Sequence, residues 1–225
     1  MNCFQFCPHD QVRNNWLMFT EQKTPPYVVL KPRYFDCVCP IPNCKKINHD
    51  KAFAEGFDDG IKIRARGDIM GTSEGFTCIN DKAKNVIESS GFVGLSLKEI
   101  PKTGWWVVNA AHRVKADQNA YTITKAVCDR CGRPKETIGL IRCLNQIEVP
   151  SNTGTFFSPT FDRGGSRNGD RDLFFTEDIV SIFKQQKLKG GMFTRLLTPA
   201  EYADVKAAGA ERNPEKWPKG SRVIL

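Results

Sequence analysis

Two amphipathic segments that lie 96 positions apart constrain the fold of this chain most strongly. The first, NDKAKNVIESSG, begins at Asn80 and the second, TEDIVSIFKQQKLKG, begins at Thr176. Asparagine and threonine are favourable N-caps, and the glycine at the end of the first segment is a common helix terminator. Apolar residues spaced three and four positions apart predict that each segment is a helix with one buried face. These apolar positions are Ala83, Val86 and Ile87 in the first segment and Ile179, Ile182 and Phe183 in the second.

The sequences around the two helices correspond as well. A strand-like end precedes each helix (FTCI and LFFT), and a short strand follows each (LSLKEI and MFTRLL). A cysteine cluster lies upstream of each, at residues 37–44 and 128–131. A helix alone could match another by chance, but helix, flanking strands and cysteines in the same order indicate an internal duplication. We therefore predict an α+β fold of two related modules, each a small sheet with a helix packed on it.

Other segments complete this organisation. YVVL, IKIRARG, GWWVVNA and YTITKAV alternate in polarity or are rich in β-branched and aromatic residues, which predicts strands. Thr198 and Glu201 form a capping box sequence with Pro199 in the first turn, which predicts a further helix. The first 25 residues look irregular. The predicted boundaries are 1–26 for an N-terminal extension, 27–110 for the first module, 111–197 for the second, and 198–225 for a C-terminal helix and tail.

The sequence CDRCGRP, from Cys128 to Pro134, predicts half of a metal site. The chain has nine cysteines, and both the odd number and the length of the chain favour metal binding over disulfides for the close pairs. Cys128 and Cys131 have the spacing of a zinc knuckle, and Gly132 tolerates the positive φ that often follows such a turn. Cys78 and Cys143 have apolar neighbours, so we expect them to be inert core residues.

The segment CVCPIPNCKK is the predicted partner of this turn. Two cysteine turns together would supply four thiolates and close a tetrahedral Zn²⁺ site, which is structural rather than catalytic. The predicted ligands are Cys39, Cys44, Cys128 and Cys131, with Cys37 as a substitute. A redox pair is the alternative, but it needs a helix start after the cysteines, and Pro134 and a strand-like segment follow here. His49 could replace a cysteine, although we expect it in a solvated loop.

Charge and motif content narrow the function classes. The net charge of +8 suits nucleic acid, an anionic surface or an acidic protein, but it is spread along the chain. No run of 18 apolar residues occurs, and the N-terminus lacks the pattern of a signal peptide, so we expect a cytoplasmic protein without a membrane span. The pair His112-Arg113 is the only one that suggests catalysis, and no nucleophilic triad or phosphate-binding loop accompanies it. We therefore expect no enzyme activity.

The order of these parts resembles the double-CXXCG motif family of bacteria, some of whose members are immunity proteins against secreted antibacterial toxins. The resemblance covers residues 27 to 197, through CVCPIPNCKK, SEGFTCINDKAKNVIESSGFVGLSLKEI, CDRCGRP and DLFFTEDIVSIFKQQKLKGGMFTRLL. The first turn departs from the motif: four residues separate Cys39 from Cys44, and Lys45 stands in place of glycine. This departure leaves open whether Cys37 or Cys39 is the first ligand. The resemblance implies a non-enzymatic protein that binds and blocks a cognate toxin.

Aromatic and arginine side chains in the long segment SNTGTFFSPTFDRGGSRNGDRD are of the kind that anchor interfaces. The candidate partner-binding residues are Phe156, Phe157, Phe161, Arg163 and Arg167. The charge of +8 predicts an acidic patch on the partner. The alternative is a zinc-ribbon nucleic-acid-binding protein, for which the stacking candidates are Trp105, Trp106, Tyr121, Phe156 and Phe157. Because adjacent residues of a strand face opposite sides, at least one of these tryptophans is expected in the core.

Overall fold

The computed structural model describes residues 2–8, 19–20, 29–30, 48–59, 61, 63, 65–72, 75–115, 117, 123–130, 134–138, 141–149, 151–152, 154–159, 172–210 and 213–224. Within them the chain has four α-helices: His49–Glu55 (α1), Asp81–Ser89 (α2), Glu177–Gln185 (α3) and Pro199–Ala207 (α4). The strands are Cys3–Pro8 (β1), Phe19–Thr20 (β2), Val29–Leu30 (β3), Ile69–Gly71 (β4), Thr77–Asn80 (β5), Leu95–Ile100 (β6), Trp105–Ala110 (β7), His112–Val114 (β8), Ile123–Val127 (β9), Pro134–Ile138 (β10), Phe156–Pro159 (β11), Phe174–Thr176 (β12), Gly191–Arg195 (β13) and Arg222–Ile224 (β14). No helix in these ranges has the length and apolar character needed to cross a membrane.

The strands form two main sheets in an α+β arrangement, as the sequence predicts. The first has four strands in the order β4-β5-β7-β6, and all its neighbours are antiparallel. The second has six strands in the order β14-β13-β1-β12-β11-β8, and it is antiparallel except for the parallel pair β11 and β8. Helix α2 connects β5 to β6, and helix α3 connects β12 to β13.

The two strand-helix-strand units have the same topology. In the first unit, β5 and β6 both run antiparallel to β7, which lies between them. In the second unit, β12 and β13 both run antiparallel to β1, which takes the corresponding central position. The prediction of an irregular N-terminus is therefore wrong for Cys3–Pro8. The edges of β12 and β13 that face each other carry backbone N–H and C=O groups that need hydrogen-bond partners. Strand β1, which is about 170 residues away in sequence, supplies these partners.

Both predicted helices are confirmed, and they bury corresponding positions. Ala83 and Ile179 are fully buried, and Ile87 and Phe183 are 5% and 1% exposed. The third predicted position of each face, Val86 and Ile182, is only partly buried. The Asn80 side chain caps α2 as predicted, since its Oδ1 accepts a hydrogen bond from Ala83 N at 3.0 Å. Thr176 begins α3 without a side-chain cap, because its hydroxyl instead accepts a hydrogen bond from Thr155 N.

One apolar core joins the two sheets. It contains side chains from α2, α3 and both sheets, so neither unit buries its apolar face alone. Edge-to-face phenylalanine pairs run through it, with the Phe175 ring 4.9 Å from Phe156 and 5.2 Å from Phe193. A second core lies on the other face of the four-stranded sheet, under α1. There Ile61, Ile63 and Ala65 pack as partly buried residues, although the structure places none of them in the predicted strand.

The loop after each helix hydrogen-bonds to the other unit at matching positions. After α2, the Val93 carbonyl accepts from Phe156 N at 3.2 Å, at the start of β11. After α3, the Lys189 carbonyl accepts from Ile69 N at 3.0 Å, at the start of β4. Val93 and Lys189 are 96 positions apart, which is the offset that relates the two helices. The two contacts are therefore reciprocal between the two units.

Asp68 is the polar centre of the second of these contacts. Its carboxylate accepts hydrogen bonds from Asn80 Nδ2 at 3.0 Å, Lys82 Nζ at 3.1 Å and the backbone N–H of Lys189 at 2.9 Å. Burial of the carboxyl opposes ionisation, but these hydrogen bonds and the Lys82 charge outweigh it and lower the pKa of Asp68. One side chain thus ties the N-cap of α2 to the loop after α3.

The C-terminal helix begins with the predicted capping box. Glu201 N donates to the Thr198 hydroxyl at 3.3 Å, and Thr198 N donates to the Glu201 carboxylate at 2.9 Å. The same carboxylate accepts two bonds from the Arg195 guanidinium, at 2.7 and 3.0 Å. The Arg195 and Thr198 hydrogen bonds lower the pKa of Glu201 to about 2.

Glu201→Gln is expected to destabilise the protein in a pH-dependent way. The folded-state pKa lies below the ordinary 4.5, so the stabilisation is complete above that pH and is lost as pH falls toward 2. We expect a loss of about 1 kcal/mol at pH 7, because the carboxylate is partly exposed and its pairing is screened. Urea unfolding of both proteins at pH 7 and pH 3 measures the difference. A loss that stays the same at both pH values would contradict the assigned role.

Candidate metal centre and partner surface

The described residues of the CDRCGRP motif lie between and at the ends of two paired strands: Cys128, Asp129 and Arg130 follow β9, and Pro134 begins β10. Strands β9 and β10 pair antiparallel, with Val127 opposite Pro134 and Lys125 opposite Glu136. Cys128 directly follows β9 and is buried, with 1% of its surface exposed, whereas Asp129 and Arg130 are exposed in the turn. The segment that begins at Pro134 is a strand, whereas a redox Cys-x-x-Cys pair stands at the start of a helix. This geometry favours the metal-knuckle prediction over a redox pair at a helix start.

The other predicted ligands lie outside the described residues. These are Cys37, Cys39, Cys44 and Cys131. Within the described ranges, no group of three or more His, Cys, Asp or Glu side chains is arranged to hold a metal ion. The Cys₄ ligand set therefore stays a prediction.

Three further cysteines belong to the cores. Cys78 and Cys143 are fully buried, which confirms the prediction for both, and Cys3 is buried as well. Burial raises the pKa of Cys3 to about 11, although the nearby N-terminal amino group lowers it. Burial also raises the pKa of Cys143, and the Glu201 carboxylate acts in the same direction. Both of these thiols stay protonated at neutral pH, so neither is suited to bind metal or act as a nucleophile.

The prediction that His49 lies in a solvated loop is wrong. His49 is the first residue of α1 and is 1% exposed. Its ring makes an edge contact with the Phe76 ring at 4.6 Å between centroids. His49 is buried for two reasons. Asn48 caps a short helix, since its side chain accepts a hydrogen bond from Lys51 N. The start of this helix, which includes His49, lies against the four-stranded sheet. His49 also lines a small pocket with Phe53, Asn109 and Leu173.

The candidate partner-binding residues divide into two groups. Phe156 and Phe157 lie in strand β11 rather than in a loop, and the Phe156 side chain is 1% exposed. Phe156 therefore serves the core, and its prediction as a surface anchor is corrected. The Phe157 backbone pairs with Phe174 on one side and His112 on the other. The others, Phe161, Arg163 and Arg167, lie outside the described residues.

The two adjacent tryptophans face opposite sides of β7, as predicted. Trp105 packs against the core under α1, and Trp106 packs against the core shared by the two sheets. The Trp106 Nε1 donates to Asp81 at 2.8 Å, and the Lys84 ammonium lies 4.7 Å from the centre of its ring. Both indoles thus have protein partners.

The pair His112-Arg113 has a structural explanation. It belongs to β8, where His112 is exposed. The Arg113 Nη2 donates to both carboxylate oxygens of Asp50, at 2.8 and 3.1 Å, and so links β8 to α1.

Sequence reasoning missed Asp68 and the edge of β6. Asp68 belongs to no sequence motif. Its role arises because Asn80, Lys82 and Lys189, the last of which is distant in sequence, all donate hydrogen bonds to its carboxylate. The local sequence predicts LSLKEI as a strand. That this strand, β6, lies at the edge of its sheet depends on the strand order, which local sequence does not specify.

The sequence matches no protein-family model, and no curated protein matches it. The resemblance to the double-CXXCG family therefore rests on the quoted motifs and their order.

Proposed function

We propose that the protein is a non-enzymatic immunity protein that binds and neutralises a cognate antibacterial toxin and contains a structural zinc site. The observation that carries the proposal is the β9–β10 hairpin, in which the buried Cys128 directly follows β9 and Pro134 begins β10. This local frame, together with the order of parts that resembles the double-CXXCG family, supports zinc as a stabilising link rather than a reaction centre.

The proposal includes an internal duplication joined by the metal. The shared topology of the two units and the reciprocal contacts at Val93 and Lys189 support the duplication. The metal would be held by Cys39, Cys44, Cys128 and Cys131, and so would join segments about 90 residues apart in the two modules. Since a closed Cys₄ site leaves no position for a substrate, the proposed activity is binding alone.

The nucleic-acid alternative has less support. Of its stacking candidates, Phe156 is buried in a core, and Trp105 and Trp106 pack partly buried against cores, with Trp106 also engaged by Asp81 and Lys84. Tyr121 and the Phe157 side chain lie outside the described part of the structure. A single-strand binder needs aromatic faces that are open to bases. An acidic protein partner accounts for the net charge of +8 equally well.

Coexpression with the product of the adjacent open reading frame tests the proposal. We expect this chain to rescue cells that the adjacent product kills, and a frameshifted copy of the same gene to fail. The purified pair is expected to bind with a Kd of about 1 nM or below, because even a small free fraction of a toxin is harmful. Association is expected to slow as salt rises, since a charge of +8 steers an acidic partner.

Two results would count against the proposal. One is the absence of rescue and of binding when both proteins are produced in folded form. The other is nanomolar binding to bulk DNA or RNA at physiological salt, which would move the protein to the nucleic-acid-binding class.

A further inference from the structure

Strand β6 is the longest edge strand of the two main sheets. It has six residues, whereas the other edge strands, β4, β8 and β14, have three each. Within the described part of the chain, β7 is its only neighbour in the sheet. Long edge strands are surfaces on which another chain can pair, and proteins usually shorten or cover them.

The register of the sheet identifies the backbone groups that β6 presents outward. Ala111 N donates to the Gly94 carbonyl at 2.8 Å, so position 94 and every second residue after it face β7. In an antiparallel ladder the intervening residues then direct both N–H and C=O away from that neighbour. The outward positions are Leu95, Leu97 and Glu99. Three donors and three acceptors therefore lie along this edge.

Of the side chains at the three outward positions, only the exposed Glu99 is charged, so little protects this edge. Lysine is a common protective residue on edge strands, but the Lys98 ammonium donates to the Ala54 carbonyl at 3.1 Å and is drawn toward α1. Leu95 and Leu97 are half-buried, and Val93, just before the strand, is 48% exposed. A row of backbone groups with an apolar margin is what a strand-adding partner needs.

The second unit indicates what fits beside such a strand. Strand β13 corresponds to β6 in the shared topology, and its outer edge is covered by the antiparallel strand β14. Arg195 N donates to the Ser221 carbonyl at 2.8 Å, and Phe193 lies opposite Val223. The backbone groups with which residues 193 and 195 bond to β14 thus correspond, at the 96-residue offset, to the outward backbone groups of Leu97 and Glu99. Among the described residues, the same position is filled in one unit and open in the other.

We infer that the open edge of β6 is the docking surface for the partner, which adds an edge strand antiparallel to β6 as β14 does to β13. The inference rests on the proposed function and assigns the partner as an acidic protein with an apolar residue opposite Leu97. A second copy of this chain is a poorer occupant, because two molecules that each carry +8 repel one another. Main-chain hydrogen bonds supply affinity in this mode, and the facing side chains supply specificity.

Glu99→Pro, with Glu99→Ala as its matched control, tests the docking surface. Proline removes an outward N–H and places its ring where the partner strand would lie, but it removes no bond to β7. Alanine removes the same exposed side chain and keeps the N–H. Against the product of the adjacent open reading frame, we expect Glu99→Pro to weaken binding at least about tenfold and Glu99→Ala less than about threefold. Hydrogen exchange of the unaltered protein should show new protection at the amides of Leu97 and Glu99 in the complex.

The outcomes separate this inference from the proposed function. Rescue and tight binding without protection at Leu97 and Glu99 would overturn the docking surface and leave the immunity function standing. Failure of the adjacent product to bind at all would overturn both. Protection of the same amides in the free protein, with a dimer in sedimentation, would assign the edge to a second copy and overturn the inference. The exchange measurement needs no variant, so it decides the matter even if Glu99→Pro does not fold.

Discussion

Gly190→Ala is expected to lower the free energy of unfolding by about 3–5 kcal/mol, which is at the upper end of the losses that single substitutions cause. Gly190 has a φ of +100°, which L-residues adopt only with strain. A Cβ atom there would collide with the Ile69 carbonyl oxygen and lie 3.1 Å from the Gly67 Cα. Both contacts are with backbone atoms, one at the start of β4 and one two residues before it, and Ile69 is only 1% exposed. Neither atom can therefore move aside without separating the two units at this contact. Urea unfolding followed by circular dichroism measures the loss.

Gly91→Ala is the matched control for this substitution. Gly91 also has a positive φ, +68°, and lies in the loop after α2, but a Cβ there meets nothing within 4 Å. Only the backbone strain remains, and we expect a loss of about 1 kcal/mol. Similar losses for the two variants would show that the close approach of Gly190 to the first unit contributes little, which would contradict the packing described for this contact.

Cys131→Ser is expected to abolish zinc binding and to destabilise the protein strongly. The unaltered chain should contain about one zinc ion, held by four thiolates, and the loss of one ligand opens the site. Because metal binding energy is folding energy in such sites, removing the ion should also lower the melting temperature. Elemental analysis and thermal unfolding, each with and without a chelator, measure the two effects.

Cys78→Ala controls for the loss of a cysteine as such. Cys78 is fully buried in the core under α1, so this variant should keep its zinc although it loses packing. Comparison of Cys37→Ser with Cys39→Ser then identifies the first ligand, since only one of them should release the metal. If protein purified from metal-replete cells contains neither zinc nor iron, the prediction of a metal site is wrong.

The sequence by itself determined the elements whose signals are local. The α2 start at Asn80, the capping box at Thr198 and the buried stripes of α2 and α3 depend on residues within four positions of one another. Backbone capping and helical periodicity act over that distance, so these predictions needed no knowledge of the rest of the chain. The β9–β10 hairpin around Cys128 belongs to the same class, because its strands are joined by a short turn.

Only the tertiary structure decided which strands pair and which side chains the pairing buries. Phe156 looks like a loop residue among Ser, Gly, Pro and Asn, but pairing with β12 and β8 places it in the core. The N-terminal strand Cys3–Pro8 has no local reason to lie between β12 and β13, and Asp68 has none to meet Lys189. Strand pairing and buried polar contacts satisfy backbone and side-chain groups across more than 100 residues. Their energies are therefore set by partners that local periodicity cannot identify.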